Sequence, residues 1–258
     1  ALHHATRLLE TWANVGALIG IEVVGDRVIA VLKAFPCAWG RCSYCPFRVE
    51  ASTDLHVVLE RNRRIFREIR AVMEEREVRR LSIYNGGSFF ELPVQVVLEL
   101  SELTRGLPVV DIETRPEYVT ERSVEWALET LAPEVLVVRV GFENADERVR
   151  NTVLNKGSPD SEVERVARVR RALRERLGGR VRFLSYVLFG IEGVSEESVR
   201  ESVRAFKGLF DGVVAIKYRR YFANQPREAP VSDEFLEFLR EECEDVDLAT
   251  GPLWELEY

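Results

Sequence analysis

Three of the chain's four cysteines lie within nine positions, in the stretch CAWGRCSYC at 37–45. Cys37, Cys42 and Cys45 could form a disulfide staple, belong to a zinc site that lacks a ligand, or hold a metal cluster with one corner left open. A structural zinc site needs four Cys or His ligands, and His56 falls inside a predicted helix. Iron–sulfur clusters are bound by thiolates, so three thiolates leave one iron free for a substrate or cofactor. The number of cysteines therefore favours a cluster.

The composition indicates a globular protein that needs no covalent staple to fold. The 258 residues are 46% hydrophobic and 31% charged, and a chain of this length buries most of the surface that its unfolded state exposes. No apolar run reaches the roughly 18 residues that span a bilayer, and the first residues lack the apolar core of a signal peptide. We therefore expect a cytoplasmic protein, in which thiols stay reduced and clustered cysteines indicate metal or redox chemistry.

The formal net charge of −7 argues against a generally basic surface for nucleic acid. Two arginine-dense stretches, at 61–70 and 165–180, are interleaved with glutamates. That mixture favours the solvated face of an outer helix over a surface that contacts RNA. The fourth cysteine, Cys243, stands alone in a predicted C-terminal helix, and we assign it no role.

Strand and helix patterns alternate along the chain and place the cysteines on a loop. Apolar runs predict strands at 27–33, 80–84, 108–112, 135–142, 181–189 and 212–218. Amphipathic stretches predict helices at about 52–75, 94–106, 120–131, 159–178, 195–208 and 232–242, the first of them with a Ser or Thr cap. Six strand–helix units imply a parallel sheet, either open and doubly wound or closed into part of a TIM-type barrel.

Shorter elements flank this series within a single predicted domain. A helix is expected at 3–15, followed by a hairpin that turns at Gly25-Asp26. The predicted divisions are an N-terminal extension at 1–26, a (βα)6 core at 27–220, and a C-terminal helix and tail at 221–258.

The loops that follow the strands carry most of the unusual residues. Active sites in such folds are built at the carboxyl ends of the strands. The cysteine stretch follows the first parallel strand, and the next three strands are followed by NGGS at 85–88, ETRPE at 113–117 and ENADE at 143–147. We therefore expect these four loops to share one edge of the sheet.

Three close cysteines after the first strand of a six-unit βα domain resemble the radical SAM superfamily. Its usual pattern, C-x3-C-x-aromatic-C, is matched in the second half by Cys42-Ser43-Tyr44-Cys45, whereas four residues separate Cys37 from Cys42. The resemblance implies a partial (βα)6 TIM-like barrel, open on one side, with a 4Fe–4S cluster on the three cysteines. It further implies that the fourth iron binds S-adenosylmethionine (SAM), which is cleaved reductively to a 5′-deoxyadenosyl radical. Tyr44 would then lie near the adenine.

The other loops resemble the branch that includes the Elongator catalytic subunit, the coproporphyrinogen dehydrogenases and the archaeosine-forming radical lyases. By that resemblance, Gly86-Gly87-Ser88 would bind the methionyl amino group of SAM, although the commonest form of this motif ends in Glu. Glycine lets the backbone approach a ligand closely, so backbone carbonyls could serve the ammonium group despite Ser88.

Three charged residues complete the cofactor site that this resemblance implies. Glu113 would contact the cofactor, and Glu143 with Lys156 would hold its ribose or carboxylate. Each also has a plainer interpretation: Glu113 as a salt-bridged loop acid, Glu143 as a helix cap and Lys156 as a surface residue.

The resemblance is strongest to the archaeosine-forming lyases and their archaeal relatives, which predicts modification of a tRNA base. A small metabolite or a partner-delivered substrate is the alternative, and a non-enzymatic iron–sulfur protein is a third. Trp39, Arg41, Arg219 and Tyr221 are the candidate substrate contacts. Expected partners are an electron donor of the ferredoxin or flavodoxin type and tRNA, bound directly or through another protein, with no membrane and no zinc.

Overall fold

Parallel strands alternate with helices along the chain, as the sequence predicts. The computed structural model describes residues 19–248, in which eight strands form one sheet in chain order. The strands are β1 Gly20–Val24, β2 Arg27–Leu32, β3 Arg80–Asn85, β4 Val109–Thr114, β5 Val135–Glu143, β6 Val181–Phe189, β7 Gly212–Lys217 and β8 Asp245–Asp247. The helices are α1 Leu55–Glu75, α2 Val94–Thr104, α3 Glu121–Leu131, α4 Asp160–Leu177, α5 Glu196–Leu209 and α6 Asp233–Glu242.

The predicted six-unit core is confirmed. Strands β2 to β7 pair in parallel with their neighbours, and a helix follows each of them. Strand β1 pairs antiparallel with β2 across Gly25, whose φ of +62° suits a tight turn, so the predicted hairpin is also present. The helix predicted for 3–15 lies outside the described residues.

Two local features differ from the sequence-based expectation. Strand β8 was not predicted; it has only three residues, too few to show a periodic pattern, and it pairs in parallel with β7. The cap of α1 is Asp54 rather than a Ser or Thr. Its carboxylate accepts hydrogen bonds from the backbone N–H groups of His56 at 2.8 Å and Val57 at 3.4 Å.

The convex side of the sheet holds the main apolar core. Alternate strand residues, such as Ile83 and Ile112, are completely buried against the helices, where Leu100 and Leu128 lie in the same cluster. The strand residues on this side are therefore apolar, because helices cover them. Among the helices of the described residues, none combines the length and apolar character that a membrane span requires.

The sheet is curled, so that β2 near one edge approaches β8 at the other edge. Arg27 of β2 reaches Asp245 of β8 with Nη1 3.4 Å from Oδ2. The same guanidinium donates to Ser82 Oγ at 2.9 Å and to Tyr84 Oη at 2.8 Å, both on β3. These side chains therefore share the concave face, and the sheet forms the partial barrel that the sequence predicts.

A buried ion cluster fills the middle of the concave face. Asp111 of β4 is fully buried and accepts two hydrogen bonds from Arg80 at 2.6 Å, one from Arg139 at 2.9 Å and one from Ser82 at 2.8 Å. Burial alone would raise the pKa of the Asp111 carboxyl, but Arg80, Arg139 and Ser82 outweigh it and lower the pKa to about 2. Three neighbouring strands are thus joined by one ionised side chain.

Replacing Asp111 by asparagine should destabilise the barrel strongly. Asp111→Asn keeps the size of the side chain but leaves Arg80 and Arg139 facing each other without their shared anion. We expect the free energy of unfolding in urea to fall by about 3–5 kcal/mol, the usual cost of removing one partner from a buried ion pair. Glu99→Gln removes a surface partner of Arg63 and should cost about 1 kcal/mol or less. Equal losses would contradict the assignment.

The same carboxylate should make stability depend on acid pH. Because the folded-state pKa of about 2 lies below the usual 3.8, the stabilisation is complete above the unfolded-state pKa and is lost as the pH falls through the folded-state value. The advantage of the wild-type protein over Asp111→Asn should shrink between about pH 5 and pH 2. Urea unfolding of both proteins across that range measures it, and a constant difference would contradict this prediction.

Candidate active site

The three clustered cysteines lie on an irregular segment after β2, the cysteine loop (residues 35–46), at the carboxyl edge of the sheet. All three thiols are half-buried and free of disulfides. Burial raises the pKa of the Cys45 thiol to about 11; the backbone of Phe47 and the charge of Lys156 lower it, while Cys42 and Cys37 raise it further. Cys37 and Cys42 are thus close enough to Cys45 to influence the ionisation of its thiol.

The thiols do not converge on a single point. No group of three His, Cys, Asp or Glu side chains within residues 19–248 is arranged to hold one metal ion. An iron–sulfur cluster makes a different demand, because each thiolate binds its own iron. The fourth cysteine, Cys243, is far along the chain at the end of α6. Three thiols on one loop therefore fit a cluster with one open iron as a donor set.

The cysteine loop is fastened to the segment before α4, the Lys156 loop (residues 153–158). Ser43 donates its backbone N–H to the Leu154 carbonyl at 3.0 Å and its hydroxyl to the Val153 carbonyl at 2.8 Å. In the other direction, the Asn155 amide donates to the carbonyl of Arg41 at 2.8 Å. Residues more than 100 positions apart therefore fix the loop on both sides of its second cysteine, Cys42.

Trp39 provides a further contact between the two loops. Its indole N–H donates to the Asn155 carbonyl at 2.7 Å. The ring lies so close to Gly157 that a Cβ there would fall 2.3 Å from the indole, and Gly157 has a φ of +66°. The four-residue gap after Cys37 thus accommodates a side chain that joins the loops. The sequence predicts a substrate contact for Trp39; in the structure its indole is engaged in this packing.

Glu91 connects the cysteine loop to the glycine motif, and the sequence analysis did not single it out, although Ser88 and Glu91 have the spacing of a capping box. One carboxylate oxygen accepts from the backbone N–H of Ala38 and from the Tyr118 hydroxyl, both at 2.8 Å. The other accepts from the backbone N–H of Ser88 at 2.8 Å. This single side chain therefore positions the residue after Cys37 relative to the glycine motif.

The glycine motif lies directly against the cysteine loop. A Cβ on Gly87 would fall 2.6 Å from Glu91 and 3.3 Å from the Cβ of Cys37, and one on Gly86 would fall 2.9 Å from Phe47. These positions need glycine because the two loops approach within backbone distance. The predicted glycine motif and the first cysteine are therefore neighbours.

The Ser88 side chain faces the interior. It is fully buried, its hydroxyl lies 2.6 Å from Thr114 Oγ1, and it accepts from the backbone N–H of Phe90 at 3.3 Å. Ser88 could therefore contact a cofactor only through its backbone. This agrees with the expectation that backbone carbonyls serve the ammonium group where the usual Glu is replaced by Ser88. Nearby, the buried Asn85 Oδ1 has no hydrogen-bond partner among the described residues.

The predicted pair Glu143 and Lys156 meets in a buried ion pair. Each is 6% exposed, and the ammonium lies 3.0 Å from Glu143 Oε1 and 3.0 Å from the hydroxyl of Tyr44. Burial alone would lower the pKa of Lys156, but Glu143 and Cys42 raise it above its usual value, so the group stays charged. This contact removes the plainer interpretations of Glu143 as a helix cap and Lys156 as a surface residue.

Glu113 lies close to this pair. Its Oε1 accepts from the backbone N–H of Asn85 at 3.1 Å. Burial raises the pKa of the Glu113 carboxyl to about 7, Asn85 and Lys156 lower it, and Glu143 raises it. A carboxyl that titrates near neutrality beside an ion pair can accept hydrogen bonds from a polar ligand.

Arg115 is the second site residue that the sequence analysis did not single out. It is 5% exposed and donates from Nη1 to Cys42 Sγ at 3.8 Å and from Nη2 to the Lys156 carbonyl at 2.9 Å. Its Nε donates to Glu117, and its guanidinium lies 5.6 Å from the centre of the Trp39 ring. The sequence signal that could have identified Arg115 is its position directly after β4, within the ETRPE stretch at 113–117.

The remaining candidate substrate residues lie on the rim. Arg41 is exposed, with its guanidinium 5.3 Å from the Trp39 ring. Arg219 and Tyr221 are half-buried on the loop after β7, with the cation 5.8 Å from the ring. Gln225 on that loop donates to the carbonyl of Tyr44 at 3.0 Å, so the β7 loop adjoins the cysteine loop.

Replacing Gly157 by alanine should displace the cysteine loop. Gly106 also has a positive φ, +76°, with nothing within 4 Å of its Cβ position, so Gly106→Ala measures the backbone cost alone, about 1–2 kcal/mol. Gly157→Ala should lower the free energy of unfolding by clearly more, because the Trp39 ring must move. It should also speed trypsin cleavage after Arg41, and equal behaviour of the two variants would contradict the contact.

The chain resembles known proteins in part of its sequence and in its fold. No protein-family model matches the chain. Archaeosine synthase subunit beta of Methanosarcina acetivorans is 24% identical over 156 residues, which is 57% of this chain and 44% of that protein. The match therefore spans less than half the length of this curated relative.

Solved structures share the architecture. Queuine lyase from Clostridium spiroforme, bound to SAM and queuine, superposes with a TM-score of 0.65 at 22% identity, covering 87% of this chain and 88% of that one. Methylornithine synthase superposes with a TM-score of 0.54 at 15% identity, covering 91% and 75%. The chain therefore shares the partial-barrel fold of these two enzymes.

Proposed function

We propose that this chain is a radical SAM enzyme. The observation that carries the proposal is the cysteine loop, whose three free thiols lie at the carboxyl edge of a partial barrel near the buried pair of Glu143 and Lys156. Cys37, Cys42 and Cys45 would hold a 4Fe–4S cluster. Bound there and reduced, such a cluster would supply the one electron for reductive cleavage of SAM to methionine and a 5′-deoxyadenosyl radical, which would take a hydrogen atom from the substrate. A ferredoxin- or flavodoxin-type donor would supply the electron.

The chain's own residues would bind and orient SAM. The ammonium of Lys156 can share its charge between Glu143 and the cofactor's carboxylate, and the free lone pairs of Glu143 can accept from ribose hydroxyls. Glycines 86 and 87 let backbone carbonyls approach the methionyl ammonium group. The Tyr44 ring would pack beside the adenine. The cytoplasm keeps thiols reduced, and we place the activity there.

Cluster binding and SAM cleavage should depend on Cys42 and not on Cys243. The protein is reconstituted anaerobically with iron and sulfide, reduced with dithionite and mixed with SAM, and 5′-deoxyadenosine is measured. We expect wild type and Cys243→Ala to form it at similar rates. Cys42→Ala should lose iron and produce none, because one cluster iron loses its protein ligand.

One result would refute the proposal. The wild-type cluster could assemble but yield no 5′-deoxyadenosine and show no change in its EPR signal when SAM is added. That result would favour the interpretation of a non-enzymatic iron–sulfur protein.

For the substrate, we propose a modified tRNA base that undergoes a lyase reaction. The sequence similarity to an archaeosine synthase subunit and the structural similarity to a queuine lyase support this class. The net charge of −7 supports the rival proposal, in which a small molecule or a partner delivers the substrate. The chain spans less than half of the length of its curated relative. A separate partner protein could therefore supply the contacts to tRNA.

Deleting the gene should change the nucleosides of bulk tRNA. We expect mass spectrometry to show loss of one modified base and accumulation of its unprocessed precursor, restored by the wild-type gene but not by Cys42→Ala. An unchanged nucleoside profile would favour the small-molecule substrate. If the purified chain itself binds tRNA, the affinity should fall steeply with salt, because phosphate contacts release counterions.

A further inference from the structure

Arg115 is a buried cation placed directly on a cysteine sulfur. Its Nη1 lies 3.8 Å from Cys42 Sγ, and the side chain is 5% exposed. We propose that Arg115 is a positioning residue that raises the reduction potential of the cluster through this hydrogen bond. The inference rests on the proposed function, because it requires a cluster on Cys42.

The physical effect has a definite direction. Adding one electron to the cluster makes its sulfurs more negative. An N–H donor and a positive charge on a ligand sulfur stabilise that reduced state more than the oxidised one, which raises the potential. Burial strengthens the effect, since water does not screen the charge. Without Arg115, the same electron donor would reduce a smaller fraction of the clusters.

Three other contacts hold the guanidinium in place. Nη2 donates to the Lys156 carbonyl at 2.9 Å, Nε donates to Glu117, and the plane lies near the Trp39 ring. These contacts engage Nη2, Nε and one face of the guanidinium. Nη1 is left to donate to Cys42. Arginine suits this place because its planar fork serves several acceptors at fixed angles.

Glu117 opposes Arg115 without cancelling it. The carboxylate pairs with Nε, on the side of the guanidinium away from the donor to sulfur. Because Glu117 is 43% exposed, water screens its charge more than that of Arg115. Neutralising Glu117 should therefore leave a larger net positive charge beside Cys42 and raise the potential further.

A nearby arginine separates the electrostatic role from a structural one. Arg165 holds the same turn, Pro116–Tyr118, by donating to the Pro116 carbonyl at 2.7 Å and to the Val119 carbonyl. It makes no hydrogen bond to a cysteine among the described contacts. Arg165→Met thus weakens the support of the Arg115 segment without removing a donor to sulfur.

The test is a redox titration of the reconstituted protein without SAM. The cluster is titrated with dithionite and mediator dyes, and its reduced EPR signal gives the midpoint potential, with iron content matched between variants. Arg115→Met should lower the reduction equilibrium at least tenfold, which is 59 mV for a one-electron couple. Arg115→Lys, which keeps the charge without the fork, should fall between Arg115→Met and wild type. Glu117→Gln should shift the potential upward, and Arg165→Met should leave it unchanged.

The outcomes separate this inference from the proposed function. A wild-type protein that assembles no cluster would overturn both. If wild type forms 5′-deoxyadenosine but Arg115→Met has the wild-type potential, the inference fails and the proposed function stands. If Arg115→Met does not assemble, Glu117→Gln decides, because an unchanged or lower potential in that variant overturns the inference. A shift in Arg165→Met equal to that in Arg115→Met would show that the segment's position, not the donor to sulfur, sets the potential.

Discussion

The candidate site depends on hydrogen bonds between loops, because the cysteine loop has no regular structure with which to hold itself. Its backbone and side chains are tied to the Lys156 loop, to Glu91 beside the glycine motif and to Gln225 after β7. Each anchor follows a different strand of the sheet. The spacing of the thiols is therefore a property of the whole barrel edge, since moving any of these strands would move an anchor.

Charge inside the barrel is arranged by the same sheet. Asp111 joins two arginines from neighbouring strands near the middle of the concave face, and Glu143 with Lys156 forms a second buried pair at the carboxyl edge. Buried ions are costly unless paired and hydrogen-bonded, and both groups meet that condition. The Asp111 cluster fixes the relative position of the strands, while the Glu143–Lys156 pair contacts Tyr44 of the cysteine loop.

The sequence predicted the six parallel strands and their helices because apolar runs and amphipathic periods are local signals. Through motif resemblance it also predicted a site made of the cysteines, the glycine motif, Glu143 and Lys156, which the fold brings to one edge of the sheet. It missed β8, which is too short to show a pattern, and the contacts of Glu91 and Arg115. Those contacts join residues 53 and 73 positions apart, so no local pattern reports them. Trp39 was predicted to contact substrate, and its packing on Gly157 could not be foreseen because it depends on two loops that only the fold brings together.

The side-chain amide of Gln225 donates to the carbonyl of Tyr44, 181 positions earlier in the chain. This separation affects the order in which contacts form during synthesis. A ribosome delivers the chain from its N-terminus, so the cysteines emerge long before the residue that fastens them. Contacts of such high sequence separation form late because a long loop must close first. The three thiols of the nascent chain therefore lack this contact until the last βα unit has folded. Until that unit has folded, these thiols are open to oxidation, which is the risk that this topology creates.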